Sequence, residues 1–221
     1  MSFIVAIDGP AGSGKGSITK IIAEKMNLSS IDTGAMYRCV TLDMINKGIA
    51  FDDIESVRAL LEKINIVLDE ENGKVLLNGE DVTSKIRSVD VSKKVSEVSA
   101  IKEVRIKLVE MQRKIAKDKD IIMEGRDITT VVFPNADVKI YLDASVEERA
   151  KRRYKQNQES GIDSSYEEIL ENIKTRDYND MHKDFGALVR AEDAVYLDSS
   201  NLSIEEVTDK IMKIIKDKKK N

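Results

Sequence analysis

Apolar residues follow two rhythms along this chain. Residues 3–7, 121–123 and 138–142 form short, mostly apolar runs that stop at an acid or a glycine, as strands buried on both faces do. Other stretches repeat every three to four residues. Between Lys15 and Met26, Ile18, Ile21, Ile22 and Met26 share one face of a helix. Residues 35–47 read as a second helix closed by Gly48. Asp52 or Asp53 caps a third, with Val57, Leu60 and Leu61 turned inward. Residues 88–117 read as one or two long helices, and 146–159 and 166–181 as two more. A short strand at 194–197 precedes a last amphipathic helix at 204–215. Residues 64–78 have a different texture. They alternate only in part, and the turn dipeptides Asn72-Gly73 and Asn78-Gly79 predict a small antiparallel insert with a hairpin there. Strands alternating with helices predict an α/β fold, a three-layer core around a mainly parallel sheet. No long repeat or Pro/Gly-rich linker interrupts the 221 residues, so one domain is expected.

Composition narrows the function classes. Charged residues make up 34% with both signs interspersed, and the net charge is -4. That balance gives no general attraction to nucleic acid or to an acidic membrane, so any anion site must be local. The single cysteine, Cys39, sits in an apolar stretch and can form neither an internal disulfide nor a zinc cluster, which fits a reducing cytoplasm. The single histidine, His182, leaves no basis for a Ser/His/Asp triad. The apolar start is too short for a membrane span and lacks a signal peptide's basic flank. The basic tail at 216–221 reads as a solvated helix end favoured by the helix dipole.

The first strand runs into Gly9-Pro10-Ala11-Gly12-Ser13-Gly14-Lys15-Gly16-Ser17, a G-x-x-x-x-G-K loop whose hydroxyl comes one place later than in the strict motif. Glycines let backbone N–H groups converge on phosphate oxygens, and the following helix adds its N-terminal dipole. Lys15 supplies a mobile charge for the β- and γ-phosphates of ATP, and Ser17 is placed to touch a phosphate or the shell of Mg2+. ATPases, GTPases and small-molecule kinases share such a loop. A protein kinase is set aside: Asp184-Phe185-Gly186 has no preceding H-R-D loop. A GTPase is weak, since Ile49 stands where Asn46-Lys47 would need an aspartate two residues on.

Two more segments narrow the class. These are Asp32-Thr33-Gly34-Ala35-Met36-Tyr37-Arg38 and Glu124-Gly125-Arg126-Asp127 with the residues to Pro134. With the glycine loop they resemble the bacterial cytidylate kinases, of the nucleoside-monophosphate kinase group of P-loop proteins, from about Ile4 to the final helix. The resemblance implies phosphoryl transfer from ATP to CMP or dCMP with Mg2+. It also implies a monophosphate-binding region at about 32–104 and a lid at about 149–165.

On that resemblance Arg38 and Arg126 hold the acceptor phosphate, for which a guanidinium fork is suited. Arg176 touches the transferred and acceptor phosphates. Asp180, Ser96 and Arg105 match the positions that read cytosine, and Asp32 and Thr33 lie near the same pocket. Asp127 orients Arg126 and accepts from the sugar. Glu124 holds water on Mg2+, with Asp143 a weaker candidate. Arg149, Arg152 and Arg153 share one helical face as a basic lid over the ATP phosphates. Two positions depart from the family pattern: Lys183 replaces an arginine and Ala187 a proline. A monomer with no nucleic-acid or membrane partner is expected. Alternatives are a kinase for another small acceptor, such as UMP or a hydroxy acid, and a non-catalytic ATP-binding switch.

Overall fold

Side-chain alternation along β1 (Ile4–Asp8) divides the core in two. Val5 and Ile7 pack toward α1 (Lys15–Met26) and the last helix, while Ala6 faces the opposite layer. The same split recurs in β6 (Ile121–Gly125), with Ile122 on the first side and Ile121 and Met123 on the second. Strands buried on both faces are the reason the sequence shows apolar runs there. With β2 (Ser29–Asp32), β7 (Val138–Asp143) and β8 (Val195–Asp198), these strands form one parallel sheet in the order β2-β6-β1-β7-β8. This computed structural model describes residues 2–69 and 72–220.

One layer holds α1 and α8 (Ile204–Lys219), whose Ile18, Ile22, Val207, Ile211 and Ile215 meet the sheet. The other holds α2 (Thr33–Asn46), α3 (Ile54–Lys63), α4 (Val89–Val98) and α5 (Lys102–Ile115). Cys39 is buried there, as a small apolar side chain would be. The hairpin insert packs against this layer. β3 (Ile66–Asp69), β4 (Lys74–Leu77) and β5 (Glu80–Asp81) form an antiparallel sheet, and Leu77 and Val82 reach the core. Of the expected turn, Glu70 and Glu71 lie outside the described residues, as does Asn221 of the tail. α6 (Val146–Glu159) and α7 (Tyr166–Met181) form a helical hairpin sealed by Ala150, Ile169 and Ile173.

The stretch 88–117 forms two helices, as one of the expected alternatives had it, parted at Ser99-Ala100-Ile101. Two features depart from the sequence expectation. β2 is an added edge strand with one buried apolar residue, Ile31. Residues 128–132 form a π-turn after β6. The parallel registers bring Asp8, Asp32, Gly125 and Asp143 to one edge of the sheet. Open α/β sheets hold their ligands at this carboxyl end.

Candidate active site

The phosphate loop leaves β1 at Asp8 and enters α1 through Gly14, which lies at φ +92° beside Gly12 at +81°. Side chains with a Cβ are strained at such angles, so the curl depends on glycine. Lys15 is buried, and its Nζ donates to Pro10 O at 2.8 Å and Ser13 Oγ at 3.2 Å. Burial, with Arg126 nearby, pushes its pKa from 10.5 down to about 7. Gly16 and Ser17 are exposed at the mouth of the loop.

The expected basic lid is only partly free. Arg149 is buried and donates to Ala11 O, to Ala144 O and, in a two-pronged pair, to Asp177 at 3.0 and 2.6 Å. It braces the loop from behind rather than reaching over it, because the first turn of α6 lies inside the helical hairpin. Arg152 also turns to protein, donating to Ser13 O at 3.4 Å and Ser199 O at 2.6 Å. Arg153 alone is exposed, with one bond to Gln156.

Arg38, Arg126, Arg153 and Arg176, from four parts of the chain, come near one another, and Arg126 is also close to Lys15. Arg38 on α2 donates to Ile86 O at 3.1 Å and Ser92 Oγ at 2.9 Å. Arg126, after β6, donates through Nε to Asp180 at 2.8 Å. Arg176 on α7 forms no hydrogen bond or ion pair with the described residues. Burial and the neighbouring Arg126, Arg38 and Arg153 press its pKa down to about 10. No i,i+4 bridge from Arg176 to Asp180 forms, because Asp180 is taken by Arg126 and by Lys183 Nζ at 2.8 Å. Burial alone would raise the Asp180 pKa, but these two cations outweigh it and hold the carboxylate ionised.

The acid assignments cross over relative to expectation. Asp127 pairs with Arg105 and not with Arg126, which Asp180 orients instead. Arg126 and Asp127 follow the end of β6 in a bend and address different partners. Arg105 is no solvated helix charge. It is 2% exposed, bonded to Ser99 O at 3.1 Å, and lies 5.4 Å from the Tyr37 ring centre and 6.0 Å from that of Phe185. The backbone of Gly186 covers the Arg105–Asp127 pair so closely that no side chain fits there. Arg105 Nε and Ser96 Oγ are both buried without partners. Asp180, expected to face the base, spends both oxygens on cations.

Glu124 lies between the two sides, opposite Asp32 in the strand register. Burial raises its pKa while Lys15 opposes the rise, and Asp32 adds like charge. Asp32 caps α2 through Ala35 N–H at 2.9 Å, and Thr33 Oγ1 donates to Glu124 O at 2.8 Å. Among the described residues no three acidic, histidine or cysteine side chains form a metal cage. The hard oxygens of Glu124, beside Gly16 at the loop mouth, and of Ser17 fit a Mg2+ that keeps waters and phosphate oxygens as its other ligands. Asp143 instead bonds Ala144 N–H at 2.8 Å, just before the Ser145 cap of α6.

The family model described as cytidylate kinase matches residues 5–217. The chain belongs to the cytidylate kinase family. A cytidylate kinase from Fusobacterium nucleatum subsp. nucleatum is 49% identical over 214 residues, 97% of each chain. One from Caldicellulosiruptor saccharolyticus is 48% identical over 95% of this chain and 94% of its own. An uncharacterized protein from Eubacterium ventriosum, 15% identical with a TM-score of 0.54, covers 97% of this chain and 99% of its own and shares the fold. This cytidylate kinase family member also uses residues that sequence reasoning missed. Ser92 and Ile86 O aim Arg38, Asp177 holds Arg149, and Ser199 holds Arg152. No local signal marks them, since each partner lies tens of residues away in the chain. Phe185 and Gly186, set aside with the Asp-Phe-Gly tripeptide, close over Arg105.

Proposed function

We propose that this family member transfers the γ-phosphoryl group of ATP to CMP or dCMP, releasing ADP and CDP or dCDP. The observation that carries this reading is positive charge without an anion of its own. Arg176 is part-buried, forms no hydrogen bond or ion pair with the described residues, and has its pKa pressed down to about 10 by burial and by the nearby Arg126, Arg38 and Arg153. Such a cluster costs free energy in the unligated protein and is relieved by phosphate oxygens from two substrates. A switch that binds ATP alone has no use for arginines on the far side of the loop.

In this reading the loop N–H groups and Lys15 hold the ATP phosphates. Arg38 and Arg126 grip the acceptor phosphate, and Arg176 spans the gap where charge spreads during transfer. Ser17 and Glu124 would hold Mg2+, which would supply charge neutralisation for the ATP phosphates. Arg105 and Ser96 stand beside the base in this reading, and Ser96 Oγ, buried without a partner, is a donor for a neutral base with ring-nitrogen and carbonyl acceptors, which supports cytosine. Asp127 and Asp180 border that pocket, and Asp32 and Thr33 its edge. Arg153 is the lid arginine that reaches substrate, whereas Arg149 and Arg152 stiffen the loop. The monophosphate region at 32–104 and a lid at 149–165 follow from the same reading, as do a monomeric state and a place in cytoplasmic pyrimidine metabolism. No described helix is long and apolar enough to cross a membrane.

Coupled ADP release, measured with CMP, dCMP, UMP and AMP, tests the proposal. Cytidine nucleotides should turn over fastest. Equal or better turnover with AMP would overturn the acceptor assignment.

A further inference from the structure

The carboxylate of Asp8 is fully buried at the last residue of β1, yet its hydrogen bonds go to residues 120 positions along the chain. One oxygen accepts the Ile128 N–H at 2.8 Å. The other accepts the Thr129 N–H at 2.7 Å and the Thr129 hydroxyl at 2.6 Å. All three donors are neutral. Burial raises the pKa of this carboxyl group and the hydrogen bonds from Thr129 and Ile128 oppose the rise, so the group depends on these partners for its place in the interior.

What it holds is the start of the π-turn at 128–132. The first N–H groups of any helical turn have no partner within it. Here the carbonyls of Asp127 and Ile128 take the later N–H groups, of Val131, Val132 and Phe133, and Asp8 takes the first two. Turns of this kind are rare and recur at functional sites. This one begins two residues after Arg126. On the other side, Asp8 is joined by a peptide bond to Gly9, the first residue of the phosphate loop. One side chain therefore ties the donor cradle to the segment that carries the acceptor arginine.

We propose that Asp8 is a positioning residue for phosphoryl transfer, fixing the π-turn and hence Arg126 against the base of the phosphate loop. This rests on the CMP kinase reading above. The loop itself has independent braces, since Lys15 bonds Pro10 O and Arg149 bonds Ala11 O. Loss of Asp8 should thus damage the use of CMP more than the binding of ATP.

The test compares Asp8→Asn, Thr129→Val and Arg126→Lys, alone and in pairs, for kcat and KM with CMP and for calorimetric ATP affinity. In Asp8→Asn an amide N–H meets a backbone N–H, so the turn shifts. kcat with CMP should fall on the order of 100-fold, the penalty of a misplacement of about 1 Å, with ATP affinity held within about threefold. Thr129→Val removes a single donor and should cost about 2- to 12-fold, the worth of one hydrogen bond. The effect of either change should shrink in the Arg126→Lys background, because both act through that arginine. A purely structural role would lower the active fraction for ATP and CMP alike and add independently of Arg126.

Folded Asp8→Asn with wild-type CMP turnover, or an undiminished loss in the Arg126→Lys background, would overturn the inference. If Asp8→Asn does not fold, Thr129→Val decides by the same criteria. Wild-type protein that ignores CMP would instead remove the parent reading.

Discussion

Replacing Asp180 by asparagine should unlock the acceptor site and destabilise the fold together. Asp180 is the one anion shared by Arg126 and Lys183, each at 2.8 Å, and all three side chains are largely buried. Removing one partner of a buried pair costs about 3–5 kcal/mol, because the remaining charge is stranded. Asparagine keeps one acceptor oxygen and can serve one of the two cations, so the lower end applies. For a chain of this size, about 3 kcal/mol lowers Tm by roughly 6–12 °C. The loss depends on pH. The Asp180 pKa lies below its ordinary 3.8, so its stabilisation is complete above about pH 4 and fades only as pH falls further. Thermal unfolding of both proteins from pH 3 to 8 should show a constant gap above about pH 4 that narrows toward pH 3. Kinetics should show the fall mainly in kcat with CMP, since Arg126 loses its aim. A base-reading role alone would instead change the choice between CMP and UMP. Identical melting at pH 7, within about 2 °C, would refute the argument that these cations depend on Asp180.

Three further predictions test other parts of the site. Lys15, held near pH 7 by burial, binds fewer protons folded than unfolded between about 7 and 10.5, so wild-type stability should rise with pH there relative to Lys15→Met. Urea midpoints measure that difference, and calorimetry in buffers of different ionisation heat should detect proton uptake when ATP binds above pH 7. Arg38→Lys cannot bond Ile86 O, Ser92 Oγ and a phosphate at once, and should lower kcat/KM for CMP on the order of 100-fold. Wild-type rates in steady-state assays would contradict the fork argument. Arg149→Gln should cost about 3–5 kcal/mol by stranding Asp177, whereas Arg153→Ala should leave melting unchanged and lower kcat.

Most of the fold was legible because it is written in local periodicity. The glycine loop, the helices Lys15–Met26, Val146–Glu159 and Tyr166–Met181, and the Asn-Gly hairpin each depend on residues within one turn of each other. β2 was not legible, since an edge strand of two serines, one isoleucine and an aspartate has too little apolar pattern. The π-turn was hidden for a different reason. Its β-branched residues favour extended backbone, and only the distant Asp8 carboxylate makes the turn affordable.

By itself the sequence determined the chemistry on offer: a phosphate loop, a surplus of arginines after it, and acids at strand ends. Tertiary structure decided which charge meets which. Asp180 and not Asp127 took Arg126, Asp177 withdrew Arg149 from the lid, and Arg176 was left without an ion pair among the described residues. Pattern along a chain is set by neighbours a few residues apart, whereas ion pairs form between side chains that only the folded sheet brings within about 3 Å.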